Sequence, residues 1–277
     1  MTINCKGNLI DLSQPAVMGI LNLTPDSFFD GGIYKDEKNI LKQVETMLSD
    51  GATFIDLGAY SSRPGADYVS VEEELQRILP IVELLIKEFP DILISIDTFR
   101  SKVAHECLDS GAALINDISA GNLDDTMLAL IAKYNVPYIM MHMKGDPKTM
   151  QQQTNYTDLI QEMLYYFSEK VTAAHALGVK DIIVDPGFGF AKTISQNYTL
   201  LQHLDLFKNL EKILLVGISR KSMIYKALET DAKGALNGTT ALHMVALQKG
   251  ATILRVHDVK EAMECIKLHK YLTASDA

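Results

Sequence analysis

Several short apolar runs in this 277-residue chain end on a polar side chain of a type that could do chemistry. Amides and carboxylates suit the hydrogen-bonding edge of a planar heterocycle, and lysine, arginine and histidine side chains suit an anion. The polar positions at or just beyond the ends of these runs are Asn22, Asp56, Asp97, Asn116, His142, Asp185, the turn Ser219 to Lys221, Arg255 and His257. Any one of them could be a helix cap or a turn residue. Together they predict a site that binds a ring and an anion.

Glycine-rich and arginine-containing loops follow some of these runs. Residues 22–32 (NLTPDSFFDGG) form a turn-rich segment with two aromatic residues, which predicts a lid over the site. Arg63, beside proline and glycine, offers a planar guanidinium to a phosphate or carboxylate. The segment 185–190 (DPGFGF) combines glycines with two phenylalanines that could flank a ring. The segment 217–221 (GISRK) follows the seventh run, where barrels often bind phosphate.

The apolar runs that carry these residues have the length of buried strands. Four of them follow a glycine that ends a helix-like stretch, and their sequences are GATFID from Gly51, GAALIN from Gly111, GVKDIIVD from Gly178 and GATILR from Gly250. Runs of about four to six mostly β-branched residues are too short for a globular helix. They fit strands that are buried on both faces, as in a parallel sheet covered by helices.

Eight such strands alternate with amphipathic helices. The predicted strands are Ala16 to Leu21, Thr53 to Leu57, Leu93 to Ile96, Ala113 to Ile115, Pro137 to Met141, Asp181 to Val184, Ile213 to Val216 and Thr252 to Val256. In the helix that contains Val71 and Leu75, Pro80 is expected to cause a kink rather than an end. The alternation predicts one domain over residues 1–277, an α/β (β/α)8 TIM barrel with its active site at the carboxyl ends of the strands. A doubly wound open sheet is the alternative.

Composition argues against several classes of function. The net charge is −9 and the basic residues do not cluster, so nucleic acid is not an expected partner. Cys5, Cys107 and Cys265 are far apart and lack metal-ligand spacing, which indicates reduced, buried thiols in a cytoplasmic protein. The first residues lack the pattern of a signal peptide, and no uncharged apolar stretch approaches about 18 residues, so no membrane partner is expected.

Eight segments, in chain order, resemble the dihydropteroate synthase family of pterin-binding barrels. They are MGILNLTPDSFFDGG from Met18, SSRPGA from Ser61, SIDTFR from Ser95, INDISAG from Ile115, MHMKGDPKTMQ from Met141, DPGFGFAK from Asp185, GISRKS from Gly217 and RVHD from Arg255. The first segment and the terminal Arg-x-His are far more specific than an isolated glycine motif. The sequence departs from the family's pattern at Ala59 and Tyr60, where Gly and Glu are expected.

The resemblance implies a transferase of folate biosynthesis. The family joins the methylene of 6-hydroxymethyl-7,8-dihydropterin pyrophosphate to the amino group of 4-aminobenzoate and releases pyrophosphate. The positions that match its pterin site are Asp97, Asn116, Met140, Asp185, Phe190, Gly217 and Lys221. Those that match its pyrophosphate site are Asn22, Arg63, Arg255 and His257, with Asn22 as a ligand of an Mg²⁺ cofactor. Those on the aminobenzoate side are Phe28, Ser62, Pro64, Ser219 and Arg220.

The resemblance assigns catalytic roles to Asp97, Lys221, Arg63, Arg255 and His257. It also implies two closing loops, at about Thr24 to Tyr34 and Ser61 to Tyr68, and a homodimer formed through outer helices. The alternatives are a methyltetrahydrofolate-dependent methyltransferase, a Schiff-base aldolase with Lys221 as the nucleophile, and a non-catalytic pterin-binding paralogue. A methyltransferase has no pyrophosphate to bind, so Arg63, Arg255 and His257 favour the synthase.

Other polar residues have structural explanations. His105, His175, His203, His243 and His269 lie in predicted helices and are expected to be solvated or to cap helices. The acidic run Glu72 to Glu74 lies in a first helical turn, where the helix dipole favours it. The segment Met140 to Met143 is expected to be core, with one contact at the rim of the site.

Overall fold

A computed structural model describes residues 1–23, 33–60 and 69–274. The strands in these residues are β1 (Thr2–Cys5), β2 (Asn8–Asp11), β3 (Ala16–Asn22), β4 (Phe54–Gly58), β5 (Ile94–Asp97), β6 (Leu114–Asp117), β7 (Tyr138–Met141), β8 (Ile182–Asp185), β9 (Ile213–Val216) and β10 (Ile253–Val256). The helices are α1 (Ile33–Ser49), α2 (Val71–Glu88), α3 (Ser101–Asp109), α4 (Met127–Tyr134), α5 (Leu159–Ala176), α6 (Ile194–Gln202), α7 (Ser222–Tyr225), α8 (Leu236–Gln248) and α9 (Val259–Ala274). Short 3₁₀ helices cover Met150–Gln152, Leu204–Leu210 and Lys233–Ala235.

Eight parallel strands close into a barrel in the order β10-β3-β4-β5-β6-β7-β8-β9. The ring is completed where β9 pairs with β10, with Leu215 opposite Ile253. The predicted (β/α)8 barrel is therefore confirmed, and the open sheet is wrong because a closed ring has no free strand at either side. The predicted strand limits lie within two residues of the observed ones. That residues 1–277 form a single domain stays a prediction.

A hairpin that the sequence analysis did not predict precedes the barrel. β1 and β2 pair antiparallel, with Thr2 opposite Asp11. Ile3 and Cys5 pack with barrel residues such as Phe54 in one buried cluster. The backbone N–H of Asn4 donates to a carboxylate oxygen of Asp181, 2.9 Å away, just before β8. The hairpin therefore covers the barrel end opposite to the carboxyl ends of the strands, and its strands were too short to give a clear periodic signal.

The glycine pattern of the sequence marks the turns from helix to strand. At Gly51, Gly111, Gly178 and Gly250 the backbone φ is positive, between 94° and 106°. A residue with a Cβ is strained in this conformation, so glycine is the residue that ends each helix and redirects the chain into the next strand. Helix α2 runs through Pro80 without interruption, as predicted.

The acidic run Glu72 to Glu74 lies in the first turn of α2, as predicted, and one prediction about a helix histidine is wrong. Glu74 belongs to the stripe that continues through Ile78 and Val82, and it accepts hydrogen bonds from Arg100 (2.6 Å) and Thr98 (2.8 Å). His243 is buried in α8 rather than solvated.

The three cysteines are free and buried, as predicted. Burial raises the pKa of Cys5 and of Cys107 to about 12, so both remain thiols at neutral pH. None of the described helices combines the length and apolarity needed to cross a membrane.

Candidate active site

Most of the predicted polar residues, among them Asp56, Asp97, Asn116, Asp185 and Arg255, lie on the inner face of the barrel at the carboxyl ends of its strands. Neighbouring parallel strands place opposite residues on the same face of the sheet. Asp56 is opposite Ser95, Asp97 is opposite Asn116, and Met141 is opposite Asp185. Below this polar layer the inner face is apolar, with Phe54, Leu114, Ile183 and Leu215 in one cluster. The polar side chains are therefore concentrated at one mouth.

Arg255 joins three strands at the centre of this mouth. Its Nε donates to Oδ2 of Asp56 at 2.6 Å, and its Nη2 donates to Oδ2 of Asp97 at 2.7 Å. The side-chain amide of Asn116 donates to the same oxygen of Asp56 at 3.2 Å. Residues from β4, β5, β6 and β10 thus form one hydrogen-bonded cluster, which we call the arginine cluster: Asp56, Asp97, Asn116 and Arg255.

In the arginine cluster, burial and the neighbouring charges have opposite effects on the pKa values of Arg255 and Asp97. Burial alone would lower the pKa of Arg255, but Asp56 and Asp97 outweigh it, and the pKa lies above its usual value. Burial raises the pKa of Asp97 to about 7, and Arg255 opposes this rise while Asp56 adds to it. The side chain of Asp97 is 19% exposed, so it can meet a ligand at the mouth. Arg255 remains a cation, whereas Asp97 changes charge near neutral pH.

Asp185 and Lys221 form a second charged pair at the same mouth. Burial raises the pKa of Asp185, and the nearby Lys221 cation opposes this rise. Burial lowers the pKa of Lys221 to about 8, although Asp185 and Asp97 favour the charged ammonium. The ammonium of Lys221 donates to the carbonyl oxygen of Phe188 and lies 4.8 Å from the centre of the Phe190 ring. The electrostatic influence of Asp185, Asp97 and Arg255 on Lys221 places all four groups in one site.

A buried lysine that the sequence analysis missed supports the turn after β8. The Nζ of Lys192 donates to the carbonyl oxygens of Gly187 and Phe190, both 3.0 Å away, and contacts Nδ1 of His142 at 3.1 Å. The N–H of Gly187 donates to Asp185 at 2.8 Å. Because Lys192 fixes this turn from below, it also fixes Asp185. The lysine at the end of DPGFGFAK was the available sequence signal.

His142 lies beneath the mouth and is not placed to touch a ligand. It is 2% exposed. Burial, with Lys192 adding to the effect, lowers its pKa to about 2, so the ring is neutral. A neutral imidazole that is fully enclosed by protein has a packing role.

The assignment of Met140 to the pterin face is wrong. Met140 is opposite Asp117 and Val184 and packs in the core between barrel and helices, with no exposed surface. Its neighbour Met141 shares the inner face with Asp185 and packs near Phe190. The two-residue alternation of β7, counted from Asp185, would have selected Met141. Phe188 is likewise buried in the helix-side core, so of the two phenylalanines Phe190 alone lies beside Lys221.

Ser219 and Arg220 make contacts within the protein, and their contact with aminobenzoate stays a prediction. The hydroxyl of Ser219 accepts from the backbone N–H of His257 at 3.2 Å and lies 3.0 Å from its Nδ1. Arg220 donates to both oxygens of Asp258, at 2.7 and 2.8 Å, and to two backbone carbonyls. Both residues therefore connect the segment after β9 to the segment after β10. The Ser219 contacts hold His257, which is exposed, at the mouth.

The remaining predicted positions lie at the edge of the site or outside the described residues. Gly217 lies against Arg255, since a Cβ on it would be 3.9 Å from the Cβ of Arg255. A Cβ on Gly58 would lie 3.9 Å from Oδ1 of Asn22 and 3.7 Å from Oδ2 of Asp97, so these two oxygens border one space. Phe28, Ser62, Arg63 and Pro64 lie outside the described residues, as do both predicted loops apart from Ile33 and Tyr34 in α1.

Tyr60, where the sequence departs from the family's pattern, packs against an aromatic side chain. The ring of Tyr60 meets the ring of Phe99 edge to face, with centroids 5.2 Å apart. The guanidinium of Arg100 lies 5.1 Å from the centre of the Tyr60 ring and also binds Glu74 and the carbonyl oxygen of Val69. These contacts link the chain before and after residues 61–68.

Comparisons with known proteins agree with this geometry. A family model described as pterin binding enzyme matches residues 18–257. Dihydropteroate synthase of Escherichia coli K12 is 43% identical over 270 residues, which are 97% of this chain and 95% of that protein. The structure of Yersinia pestis dihydropteroate synthase with a sulfonamide drug has a TM-score of 0.92 at 42% identity and covers 99% of this chain and 100% of that one. The Xanthomonas albilineans dihydropteroate synthase with 4-aminobenzoic acid has a TM-score of 0.91 at 34% identity, with 99% and 98% covered.

The turn after β8 gives a prediction about stability. Gly187 has a φ of +68°, and a Cβ there would lie 2.3 Å from the carbonyl oxygen of His142. We expect Gly187→Ala to lower the free energy of unfolding by about 2–5 kcal/mol, through backbone strain and overlap. Gly178→Ala is the matched control, because φ is +94° there and nothing lies within 4 Å of the added Cβ. Strain alone should cost about 1–2 kcal/mol. Urea unfolding measures both, and equal losses would contradict the described packing of the turn.

Proposed function

The chain belongs to the dihydropteroate synthase family of pterin-binding enzymes, and we propose how its own residues carry out the family's transfer reaction. It joins the methylene carbon of 6-hydroxymethyl-7,8-dihydropterin pyrophosphate to the amino nitrogen of 4-aminobenzoate, releasing pyrophosphate and 7,8-dihydropteroate. The observation that carries this proposal is the meeting of Asp97, Asn116, Asp185, Lys221 and Arg255 at one mouth of the barrel. Acids and amides there can bind a heterocycle while cations beside them bind its diphosphate.

The pterin half of the mouth combines hydrogen-bond acceptors of three side chains with one lysine ammonium. The ring of a pterin presents adjacent N–H donors, like the edge of guanine, and a carboxylate can accept two of them at once. Asp185 is placed for this role because its turn is fixed by Gly187 and Lys192. Asp97 and Asn116 add acceptors from the neighbouring strands. Lys221 would donate to the ring's own acceptors, and Phe190 beside it would cover a face of the ring.

The anion half consists of Arg255 and His257, joined in this proposal by Arg63. Arg255 and His257 follow one another on the same face of β10 and its extension. The Nη1 of Arg255 has no hydrogen-bond partner among the described residues, so it is available to a phosphate oxygen. His257 is exposed and is held by Ser219.

An Mg²⁺ ion fits this arrangement as a partner of the substrate. Mg²⁺ prefers oxygen ligands and is often bound through one or two protein groups together with substrate phosphates. Asn22 would supply its amide oxygen at the border of the space it shares with Asp97. Within the described residues, His, Cys, Asp and Glu side chains form no group of three or more able to hold a metal ion. When bound, the ion would neutralise charge on the departing pyrophosphate.

The chemical step requires no nucleophile from the protein. The bond between the methylene carbon and the pyrophosphate oxygen breaks, and its electron pair leaves with pyrophosphate. The carbon, now cation-like, forms a bond with the amine of 4-aminobenzoate, and the amine gives up one proton to water or to the released pyrophosphate. Arg255 and His257 stabilise the leaving anion, and the Asp97 carboxylate stabilises the cation-like pterin.

The three alternative functions, an aldolase, a methyltransferase and a non-catalytic binder, each leave some residues of the site without a role or a reason. In the aldolase alternative Lys221 would be a nucleophile, which leaves Asp185, Asn116 and Asp97 without a role. In a methyltransferase the cations Arg255 and His257 would have no anion to bind. A non-catalytic binder was suggested by Ala59 and Tyr60, but Tyr60 makes a well-packed contact with Phe99 that leaves the arginine cluster intact.

We also infer a homodimer in the cytoplasm. The end of α9 exposes Leu268, Tyr271 and Leu272, which are 56–80% accessible and are suited to cover by a second subunit. Three free buried cysteines are compatible with a reducing compartment. Sedimentation measures the oligomeric state directly, and a monomer at micromolar concentration would contradict the dimer.

The transfer reaction itself is tested in one coupled assay. We expect purified protein to release pyrophosphate from 6-hydroxymethyl-7,8-dihydropterin pyrophosphate only when 4-aminobenzoate is also present, and to lose this activity when Mg²⁺ is chelated. Dihydropteroate should form in equal amount. Pterin binding without any pyrophosphate release would instead establish a binding protein.

The two ends of β8 offer a matched test of the pterin assignment. Asp185 lies at the mouth, whereas Asp181 lies just before the strand and accepts from Asn4. We expect Asp185→Asn to weaken binding of 6-hydroxymethylpterin by at least about tenfold, because a charged acceptor is lost. Asp181→Asn should leave the affinity unchanged. Isothermal titration measures both, and wild-type affinity in the Asp185 variant would remove this residue from the site.

The pKa shifts at the mouth predict how pterin affinity depends on pH. Binding requires ionised Asp97, whose pKa burial raises to about 7, and protonated Lys221, whose pKa burial lowers to about 8. Affinity for 6-hydroxymethylpterin should therefore fall as pH drops through 7 and fall again as it rises through 8. In Asp97→Asn the acidic limb should weaken but persist, because burial also raises the pKa of Asp185, and the basic limb should remain. A flat profile between pH 5 and 9 would show that these groups do not control binding.

A further inference from the structure

Asp56 is part of the arginine cluster but has no exposed surface with which to touch a ligand. Its Oδ2 accepts from Nε of Arg255 at 2.6 Å and from Nδ2 of Asn116 at 3.2 Å. We propose that Asp56 is a positioning residue, which fixes the amide of Asn116 with its oxygen toward the pterin and fixes the plane of the Arg255 guanidinium. This inference rests on the proposed function, because it assigns a role in that same site.

The first step of the argument concerns the direction of the Asn116 amide. The oxygen and nitrogen of an asparagine side chain are nearly alike in shape, so the neighbouring groups decide which of them faces which way. An ionised carboxylate only accepts hydrogen bonds, so the amide group nearest Asp56 must be the NH₂. The oxygen of Asn116 is then directed away from Asp56 as an acceptor. A pterin edge made of N–H donors requires an acceptor at this position.

The second step concerns Arg255. Its Nε is held by Asp56 and its Nη2 by Asp97, so two hydrogen bonds from different strands fix the plane of the guanidinium. If Asp97 were its only partner, the Arg255 guanidinium could rotate about that one hydrogen bond. Rigid placement of first-contact groups by surrounding residues is what a binding site needs for precise geometry.

The third step concerns the two oxygens of Asp56. Both hydrogen bonds converge on Oδ2, whereas the buried Oδ1 has no hydrogen-bond partner among the described residues. An unpaired buried acceptor lowers stability, so the placement of this carboxylate needs an explanation other than stability. The asymmetry indicates that the side chain is placed for Asn116 and Arg255.

Two substitutions separate the acceptor oxygen of Asp56 from its charge. In Asp56→Asn the amide oxygen can occupy the place of Oδ2 and keep both hydrogen bonds, whereas Asp56→Ala removes the acceptor. We expect Asp56→Ala to weaken binding of 6-hydroxymethylpterin by at least about tenfold and Asp56→Asn to remain within about threefold of wild type, as measured by isothermal titration. Wild-type affinity in Asp56→Ala, or equally weak binding in both variants, would overturn the proposal.

Asp181→Ala is the control, because Asp181 accepts a hydrogen bond from Asn4 at the opposite end of β8, away from the mouth. Its melting temperature should fall while its pterin affinity stays within about twofold of wild type. A comparable loss of affinity in Asp181→Ala would mean that Asp56→Ala reports general destabilisation, and would overturn the proposal. Failure of wild-type protein to bind the pterin would instead refute the proposed function, so the two failures are distinct.

The wild-type complex provides a test that does not depend on a variant folding. In a crystal structure with 6-hydroxymethylpterin, one amide atom of Asn116 should stay within hydrogen-bond distance of Asp56 while the other contacts a ring N–H. If Asn116 leaves Asp56 when the pterin binds, Asp56 does not position it and the proposal is wrong.

Discussion

Arg255 lies between Asp56 and Asp97 above a largely apolar layer of the barrel interior, and the rest of the site depends on this arrangement. Its side chain is 18% exposed, so little water is available to solvate the charge. Removing one partner of a buried ion pair typically costs about 3–5 kcal/mol, because the other charge is left unpaired. The cation therefore holds β4, β5 and β10 to a common geometry at the mouth. It also leaves one nitrogen available to a ligand, which links the structural role to pyrophosphate binding.

The barrel explains how residues far apart in sequence reach this arrangement. Closure brings β10 beside β3, so Arg255 reaches carboxylates on β4 and β5 that lie more than 150 residues earlier in the chain. The buried Lys192 performs a related task on the opposite side, where it holds the turn that carries Asp185. Two buried basic side chains thus organise the two sides of the mouth. Pterin binding requires both sides at once, because the ring would lie between them.

Much of the barrel could be predicted from the sequence, because glycine turns and short apolar runs are local signals. Asp97, Asn116, Asp185 and Lys221 were found because each lies at the end of a predicted strand or in the turn after it. Contacts between distant residues could not be found in this way. The sequence does not show that Asp258 engages Arg220, that Glu74 binds Arg100, or that Lys192 is enclosed. The error at Met140 has a different cause, since the alternation of inner and outer residues was not carried through β7.

The central claim is that one mouth has a pterin half and an anion half that are occupied together. Isothermal titration of wild-type protein with 6-hydroxymethylpterin, and separately with inorganic pyrophosphate and Mg²⁺, tests it most directly. The account predicts that protein saturated with either ligand still binds one equivalent of the other. Mutual displacement of the two ligands would contradict the account, because it would place the ring and the diphosphate in the same space.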